Sequence, residues 1–334
     1  MMRPSLRDVL NEHWQQLESA TPSGALRLRT SELPSVSEPG RLVAAVDHEG
    51  LRHLLIPLTA QQRVRRGATG AVLTLRERAL EDVNTFGRYA DLSCSRSDLN
   101  DVFTGLCSDV LATVEENPNR PLKAMYLVVD RWRALFQSTG SPLDNEQLAG
   151  LFGELMVLRR LLELSSAATE HWKGPSGHRH DFVFAPSAIE VKASTATEGR
   201  RVRVHGADQL ECPTDGRLDL VWIRLERVTD GGEGVVELVD HLRRLSDDEN
   251  GLLLKLAQVG YRPTDVELYR EVRFVVREEL WFEVDHRFPR LTPTDLPVDV
   301  LDVQYSIDIA SEPPHPIKEA DLEEHLSDIT REVA

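Results

Sequence analysis

The sequence predicts an α/β fold preceded by an N-terminal α+β domain, and three stretches carry this prediction. Two short runs of strand-forming residues, 180–184 and 188–193, flank Ala-Pro-Ser, which predicts a β-hairpin. Residues 144–164 repeat Leu and Phe at helical spacing. Residues 218–225 are almost continuously apolar, as in a strand buried on both faces. A long helix beside such strands is typical of α/β packing.

The first part of the chain, residues 1–140, is expected to form a separate α+β domain. Alternating and helical patterns predict a small antiparallel sheet and three helices. The expected strands are 25–29, 41–46, 51–56 and 71–75, and the expected helices are 1–18, 98–116 with Ser97 as a cap, and 121–136. Residues 137–142, rich in Ser, Thr and Gly, are the expected boundary. This domain shows no catalytic motif, so DNA contact, target recognition and partner docking all stay open as its role.

The second domain, residues 141–334, is expected to carry the hairpin between two helices. Ser141 or Asp144 caps the first helix, and a short strand leads into a second helix from about residue 206. The remaining patterns predict helices at 235–245 and 247–259, strands at 272–276, 280–284 and 300–309, and an acidic helix from about 317. We interpret these later elements as a C-terminal elaboration of the core.

The hairpin places acidic and basic side chains on one face. Alternation along a strand points Glu190 and Lys192 to the same side, and pairing of the two strands brings Asp181 beside Glu190. Magnesium prefers oxygen ligands and is usually held by one or two carboxylates and substrate phosphate oxygens. Asp181, Glu190 and the backbone carbonyl of Val191 are therefore candidate metal ligands. Lys192 is a candidate for holding a water near the scissile phosphate and offsetting charge there.

The same residues have a simpler interpretation. An amphipathic hairpin often carries Asp, Glu and Lys on its wet face only for solubility, and a bare D-x8-E-x-K pattern has many false positives. His178 and His180 form an H-x-H pair that suggests a transition metal. Without a third ligand at a recognisable spacing, phosphate contact or turn chemistry is favoured for that pair.

The residues resemble the core of the PD-(D/E)XK nuclease superfamily, which has a restriction-endonuclease-like fold of a mixed central sheet flanked by helices. The resemblance implies that Glu154, on the helix before the hairpin, and Gln209, after the E-x-K strand, assist the site, with Glu154 as a further metal ligand. His180 stands where the superfamily pattern has Pro. A closer resemblance joins GLFGELMVLRRLLE, HDFVF, AIEVKAS, HGADQL and LDVQYSIDIA to uncharacterised PD-(D/E)XK proteins of bacterial restriction-like, anti-phage gene clusters.

Charge is unevenly distributed along this acidic chain, whose net charge is −16. Residues 1–205 hold 25 Lys and Arg against 25 Asp and Glu, whereas residues 206–334 hold 14 against 30. Two basic stretches are candidates for phosphate contact. One stretch contains Arg63, Arg65, Arg66, Arg76 and Arg78. The other contains Lys173, Arg179, Lys192, Arg200, Arg201 and Arg203. Solvated loop faces are the alternative, and the overall acidity suggests that a partner loads the protein onto DNA.

These observations lead to one expected function and one rival. We expect a Mg²⁺-dependent DNA endonuclease, with Mn²⁺ able to substitute, that serves bacterial defence. The rival is a catalytically silent DNA-binding or assembly subunit of a defence complex, and an RNA-directed nuclease is a third possibility. Expected partners are DNA, other defence-system subunits and a second copy of the chain. Three widely spaced cysteines and no apolar signal or membrane segment favour the cytoplasm.

Overall fold

The computed structural model of this chain describes residues 5–21, 24, 27–64, 72–82, 85–133, 141–297, 299–310 and 314–331. The chain divides into two compact units, residues 1–140 with 262–264, and residues 141–261 with 265–334. Among the described helices, none has the length and apolar character that crossing a membrane requires. The three cysteines, Cys94, Cys107 and Cys212, are free.

The first unit is built on a five-stranded antiparallel sheet in the order β1-β2-β3-β5-β4. Its strands are β1 (Arg29–Ser37), β2 (Gly40–Val46), β3 (Arg52–Pro57), β4 (Leu73–Asp82) and β5 (Thr85–Cys94). The helices are α1 (Leu6–Ser19), α2 (Asn100–Glu116) and α3 (Pro121–Trp132). Trp14 and Phe103 pack together in the core of this unit with their ring centroids 5.9 Å apart.

The strand predicted at 25–29 was wrong, because the real first strand starts at Arg29 and includes Pro34. Proline removes a ladder donor and is tolerated on edge strands and at bulges. β1 is such an edge strand, and its pairing with β2 shifts register between Glu32 and Val36. Residues 25, 26 and 71, which belong to predicted strands, and residues 134–140, which contain most of the predicted boundary, lie outside the described residues.

Three other details of this unit differ from prediction. β4 continues to Asp82, well beyond the predicted 71–75, and β5 was missed. The residue that precedes α2 is Leu99 rather than Ser97, because residues 97–99 form a separate turn of 3₁₀-helix.

The second unit has a mixed five-stranded sheet in the order β10-β11-β9-β7-β6. Its strands are β6 (Phe182–Phe184), β7 (Ser187–Ser194), β9 (Leu218–Val228), β10 (Glu233–Gly234) and β11 (Arg273–Glu283). β7 and β9 are parallel, and the other neighbours are antiparallel. A separate antiparallel pair is formed by β8 (Arg201–Val204) and β12 (Tyr305–Asp308). The helices are α4 (Asn145–Leu164), α5 (Val235–Leu245), α6 (Glu249–Gln258), α7 (Val266–Tyr269) and α8 (Glu319–Arg331). The mixed sheet flanked by helices confirms the predicted α/β fold class.

The mixed sheet is covered on both faces. Ile189 and Val191 of β7 belong to a core cluster that includes residues of α4, α5, α6 and α8. Ala188, on the opposite face, belongs to a second cluster with Val202, Val204 and Ile307 of the β8–β12 pair. Glu190 and Lys192 alternate with Ile189 and Val191, so they lie on the face of Ala188. The apolar cores therefore hold β7 from both sides and fix the direction of its polar side chains.

Four predicted elements of the second unit differ from the structure. The helix expected from residue 206 is a set of turns over 206–210, because only a few residues separate Gly206 from Pro213. The strands predicted at 272–276 and 280–284 are one strand, β11, with an irregularity between Val276 and Glu278. The strand predicted at 300–309 is limited to Tyr305–Asp308, where it pairs with β8.

Candidate active site

Asp181 lies at the edge of the hairpin, beside the middle of β7. Asp181 directly precedes β6, and its Oδ2 accepts a hydrogen bond from the backbone N–H of Val191 at 2.7 Å. In a strand the N–H and C=O of one residue point to the same side. The carbonyl of Val191 therefore faces the edge on which Asp181 lies.

Glu190 and Lys192 form an ion pair on one face of β7. Lys192 Nζ lies 2.6 Å from Glu190 Oε1 and donates a hydrogen bond to Gln209 Oε1 at 3.1 Å. Glu190 is 2% exposed, and its Oε2 is buried with no hydrogen-bond partner. A buried carboxylate oxygen without a partner is costly. This oxygen is thus available to a ligand at the site.

Glu154 reaches the same place from α4. Its Oε2 accepts a hydrogen bond from the indole Nε1 of Trp172 at 2.7 Å. Gly174 lies between the two acids: a Cβ added there would be 2.9 Å from Asp181 Oδ1 and 3.0 Å from Glu154 Oε2. The absence of a side chain at residue 174 lets these carboxylates come together around the backbone. The structure thus brings together all of the predicted site residues, Asp181, Glu190, Val191, Lys192, Glu154 and Gln209.

Lys255 on α6 holds the segment that carries Trp172 and Gly174. Its Nζ donates to the carbonyls of Thr169 at 2.5 Å, Glu170 at 3.3 Å and Trp172 at 2.6 Å. Trp172, Gly174 and Lys255 are not among the site residues predicted from the sequence. A tryptophan and a glycine shortly before the H-x-H-D stretch give no pattern of their own, and Lys255 is remote in sequence.

Burial raises the pKa of each of the three acids of the site. Burial, opposed by Lys192 and the Val191 amide, raises the pKa of Asp181. Burial and then the charge of Asp181 raise the pKa of Glu190 to about 8, and the same two causes raise the pKa of Glu154 well above its ordinary value. Burial alone would lower the pKa of Lys192, but the neighbouring carboxylates outweigh it and raise that pKa. Three acids around one ammonium group form a place where additional positive charge is favourable.

The donor set fits a hard divalent cation. All three side chains offer carboxylate oxygens, and the unpartnered Oε2 of Glu190 is one of them. Within the described residues, no three His, Cys, Asp or Glu side chains are grouped so that they alone would enclose a metal ion. Magnesium does not require such a cage, because it keeps several waters and takes one or two carboxylates together with substrate oxygens.

The H-x-H pair is engaged with its own backbone. The backbone N–H of His180 donates to His178 Nδ1 at 3.1 Å. His180 is buried, and burial followed by the charges of Arg179 and His178 lowers its pKa to about 4. His180 is therefore neutral at physiological pH.

Several of the predicted phosphate-binding arginines are paired within the protein. Arg76 and Arg78 contact the buried Asp91 at 3.1 and 2.7 Å. In the second unit, Arg179 pairs with Glu211 at 2.6 Å and Arg200 pairs with Glu278. Arg65 and Arg66 lie outside the described residues. The charge of the paired arginines is already balanced locally, which leaves less of it for phosphate.

Comparisons with known proteins give one match. The model of a family described as "Putative PD-(D/E)XK family member, (DUF4420)" matches residues 10–310, which is most of the chain. No curated protein and no solved structure matches the chain.

Proposed function

This chain belongs to the PD-(D/E)XK family DUF4420, and from that membership we propose that it is a Mg²⁺-dependent endonuclease that hydrolyses DNA phosphodiester bonds. The family suggests nuclease activity in general. The metal, the DNA substrate and the residue roles are our proposal, and the site geometry supports them.

Asp181 and Glu190 would hold the metal ion together with waters and substrate oxygens, with Glu154 and the Val191 carbonyl as further oxygen donors beside them. When bound, Mg²⁺ supplies Lewis acidity that acidifies a water and polarises the phosphate. Mn²⁺ accepts the same oxygen ligands and is expected to substitute.

Lys192 acts on the water and the phosphate. Its ammonium group is held between Glu190 at 2.6 Å and Gln209 at 3.1 Å, so its position is set before substrate arrives. A preorganised positive charge stabilises the charge that develops on the phosphate more than a mobile one does. Gln209 is a positioning residue for Lys192, and Trp172 has the same role for Glu154.

One observation carries the proposal: Glu190 Oε2 is buried without a partner in a cluster whose three carboxylates all have raised pKa values. A solvated hairpin face would not bury its glutamate. The ion pair with Lys192 satisfies only Oε1. A metal-binding role accounts for the remaining oxygen.

The biological setting is proposed from the sequence resemblance. We propose that the substrate is phage or other foreign DNA in the bacterial cytoplasm, and that other defence-system subunits help to load the acidic protein onto it. Because a duplex has two strands, a homodimer would present two sites. Plating efficiency of phage on cells that carry wild type or Asp181→Asn tests the defence role, and equal plating would contradict it.

The nuclease proposal is tested with supercoiled plasmid, linear DNA and RNA of matched sequence, each with Mg²⁺, Mn²⁺ or chelator. Asp181→Asn and Lys192→Met are expected to lower the cleavage rate by about 10²–10³-fold. Glu226→Gln and Arg277→Met, from an exposed ion pair on β9 and β11, are matched controls expected to cut as wild type does.

The pattern of results separates the candidate functions. Metal-dependent DNA cleavage that only the two site variants lose would support the nuclease and its site together. Cleavage of RNA but not of DNA would mean that RNA is the substrate. No cleavage, with equal DNA binding in all five proteins, would favour the silent DNA-binding or assembly subunit.

A further inference from the structure

The pair formed by β8 and β12, which we call the ribbon, exposes two arginines on its outer face. Val202 and Val204 are buried in the core, so the alternating Arg201 and Arg203 point outward, and both are exposed. Ser306 lies opposite Arg203 and Asp308 opposite Arg201. Asp308 Oδ1 accepts a hydrogen bond from the backbone N–H of Ala310 at 2.9 Å.

These arginines differ from most others in the second unit. Arg159, Arg179, Arg200, Arg224, Arg273 and Arg277 each pair with a glutamate. Among the residues that the structure describes, no ion pair involves Arg201 or Arg203, although Asp308 lies opposite Arg201 in the ribbon. In an acidic protein, two adjacent exposed guanidinium groups without acidic partners are suited to phosphate oxygens.

The ribbon is connected to Lys192 through Gln209. The backbone N–H of His205, one residue beyond β8, donates to Gln209 Oε1 at 2.9 Å, and Lys192 Nζ donates to the same oxygen at 3.1 Å. His205 is therefore two hydrogen bonds from the proposed catalytic ammonium group.

A groove of about 550 Å³ opens where β8 ends and β12 begins. This volume lies within the range of about 300–1,000 Å³ usual for small-molecule sites. We call it the ribbon groove, and its walls include His205, Asp208, Leu296, Val300, Asp302 and Gln304.

Local hydrogen bonds hold the segment that leads into the side of the ribbon groove formed by residues 293–297. The N–H of Leu291 donates to the Tyr305 hydroxyl at 3.1 Å, and the N–H of Thr292 donates to Asp295 Oδ2 at 2.7 Å. Apolar surface is also exposed here, since Val300 is 43% exposed.

The two surfaces have complementary chemistry for a nucleotide. Carboxylates such as Asp208 and Asp302 repel phosphate but accept hydrogen bonds from the amino and imino groups of bases. Apolar walls suit the face of a base. Phosphate therefore fits the ribbon and a base fits the groove.

We propose that the ribbon and its groove bind one strand of the substrate nucleic acid, with phosphates at Arg201 and Arg203 and an unstacked base in the groove. The inference rests on the proposed function because it takes nucleic acid as the ligand, but it does not require that the protein cleaves it. It assigns the strand a path along β8 that leads to Gln209 and Lys192.

The test measures binding without cleavage, by fluorescence anisotropy of a labelled 20-nucleotide single strand in chelator over a series of KCl concentrations. Arg201→Gln with Arg203→Gln is compared with Arg270→Gln with Arg277→Gln, which removes two exposed arginines that have glutamate partners. Loss of two phosphate contacts is expected to weaken binding and to reduce the slope of log affinity against log salt by about 1.4. The control pair is expected to bind as wild type does.

The groove is tested by a strand of the same length and charge whose central residues are abasic. Wild type is expected to bind it more weakly than the intact strand, and Val300→Gln, which replaces an apolar wall by a longer polar side chain, is expected to remove the difference. Equal affinity of wild type for both strands would overturn the base site. Melting temperatures of all variants identify any that are unfolded.

The outcomes separate this inference from the nuclease proposal. If wild type cuts DNA but the Arg201 and Arg203 double variant binds with unchanged affinity and slope, the ribbon is not the path. If no protein cleaves DNA and only the Arg201 and Arg203 double variant loses binding, the ribbon inference is supported and the nuclease proposal is contradicted. Failure of wild type to bind any strand would overturn the ribbon inference.

Discussion

The side-chain oxygen of Gln209 accepts a hydrogen bond from Lys192 Nζ at 3.1 Å, while Glu190 contacts the same ammonium group at 2.6 Å. Gln209 lies on a turn and Glu190 on β7, so two different elements fix one cation. The turn also uses this oxygen to accept the N–H of His205 at 2.9 Å. The position of Lys192 therefore depends on the loop that follows β8.

Gln209→Leu is expected to lower the cleavage rate without unfolding the protein. A hydrogen bond to a charged group contributes about 1.5–3 kcal/mol, which corresponds to about tenfold or more in rate. Gln209→Glu keeps an acceptor and is expected to lose less. Single-turnover cleavage at saturating Mg²⁺ measures the effect, and a Gln209→Leu rate equal to that of wild type would show that Lys192 does not need this contact.

Gly174→Ala is expected to weaken Mg²⁺ binding more than it changes stability. The new Cβ would lie 2.9 Å from Asp181 Oδ1 and 3.0 Å from Glu154 Oε2, so the two carboxylates must move apart. Overpacking costs about 1–3 kcal/mol, and a loss of this size from the metal complex corresponds to about 5- to 150-fold in affinity. Titration calorimetry with Mg²⁺ measures it. Ser176→Ala, in the same exposed turn, is the control, and equal affinities of the two variants would argue against a metal between Asp181 and Glu154.

Local patterns predicted the parts of the fold that depend on one segment. The helical repeat of α4 and the alternation of β7 are properties of continuous stretches, and Asp144 does cap α4 through the N–H groups of Glu146 and Gln147. The family match confirms the resemblance to the PD-(D/E)XK superfamily. The roles of the site residues stay predictions.

Tertiary contacts explain what the sequence did not reveal. Trp172 belongs to the site because its indole donates a hydrogen bond to Glu154 on α4. Lys255 belongs to it because its ammonium group donates to three backbone carbonyls. Gln209 was placed on a helix although a turn carries it. Pro34 concealed β1, whose edge position and register shift accommodate the missing donor.

Glu190→Gln is expected to change how stability depends on pH in the metal-free protein. The pKa of Glu190 is raised from 4.5 to about 8 in the folded state, so the unfolded chain loses this proton first as pH rises. The stability that this group contributes is full below pH 4.5 and is lost as pH rises through about 8, a change on the order of 5 kcal/mol. Glutamine stays uncharged at every pH, so the variant does not lose this stability as pH rises.

Urea unfolding in chelator at pH 5 and pH 8.5 tests the effect. The variant is expected to match wild type at pH 5 and to exceed it at pH 8.5. Glu226→Gln, which replaces an exposed glutamate, serves as the control for a general change in charge. An identical pH profile for wild type and Glu190→Gln would mean that Glu190 is already ionised at the lower pH.

Two glycines of α4 are expected to respond in opposite directions to alanine. A Cβ at Gly150 meets nothing within 4 Å, so Gly150→Ala gains helix propensity of about 0.5–1 kcal/mol. A Cβ at Gly153 would lie 2.8 Å from the Cβ of Ala193 on β7, and this overpacking costs about 1–3 kcal/mol. Moving α4 away from β7 also moves Glu154 from Glu190, so Gly153→Ala is expected to bind Mg²⁺ more weakly. Urea unfolding and Mg²⁺ titration of the two variants measure both effects, and a Gly153→Ala protein as stable as Gly150→Ala would show that α4 does not require this close approach.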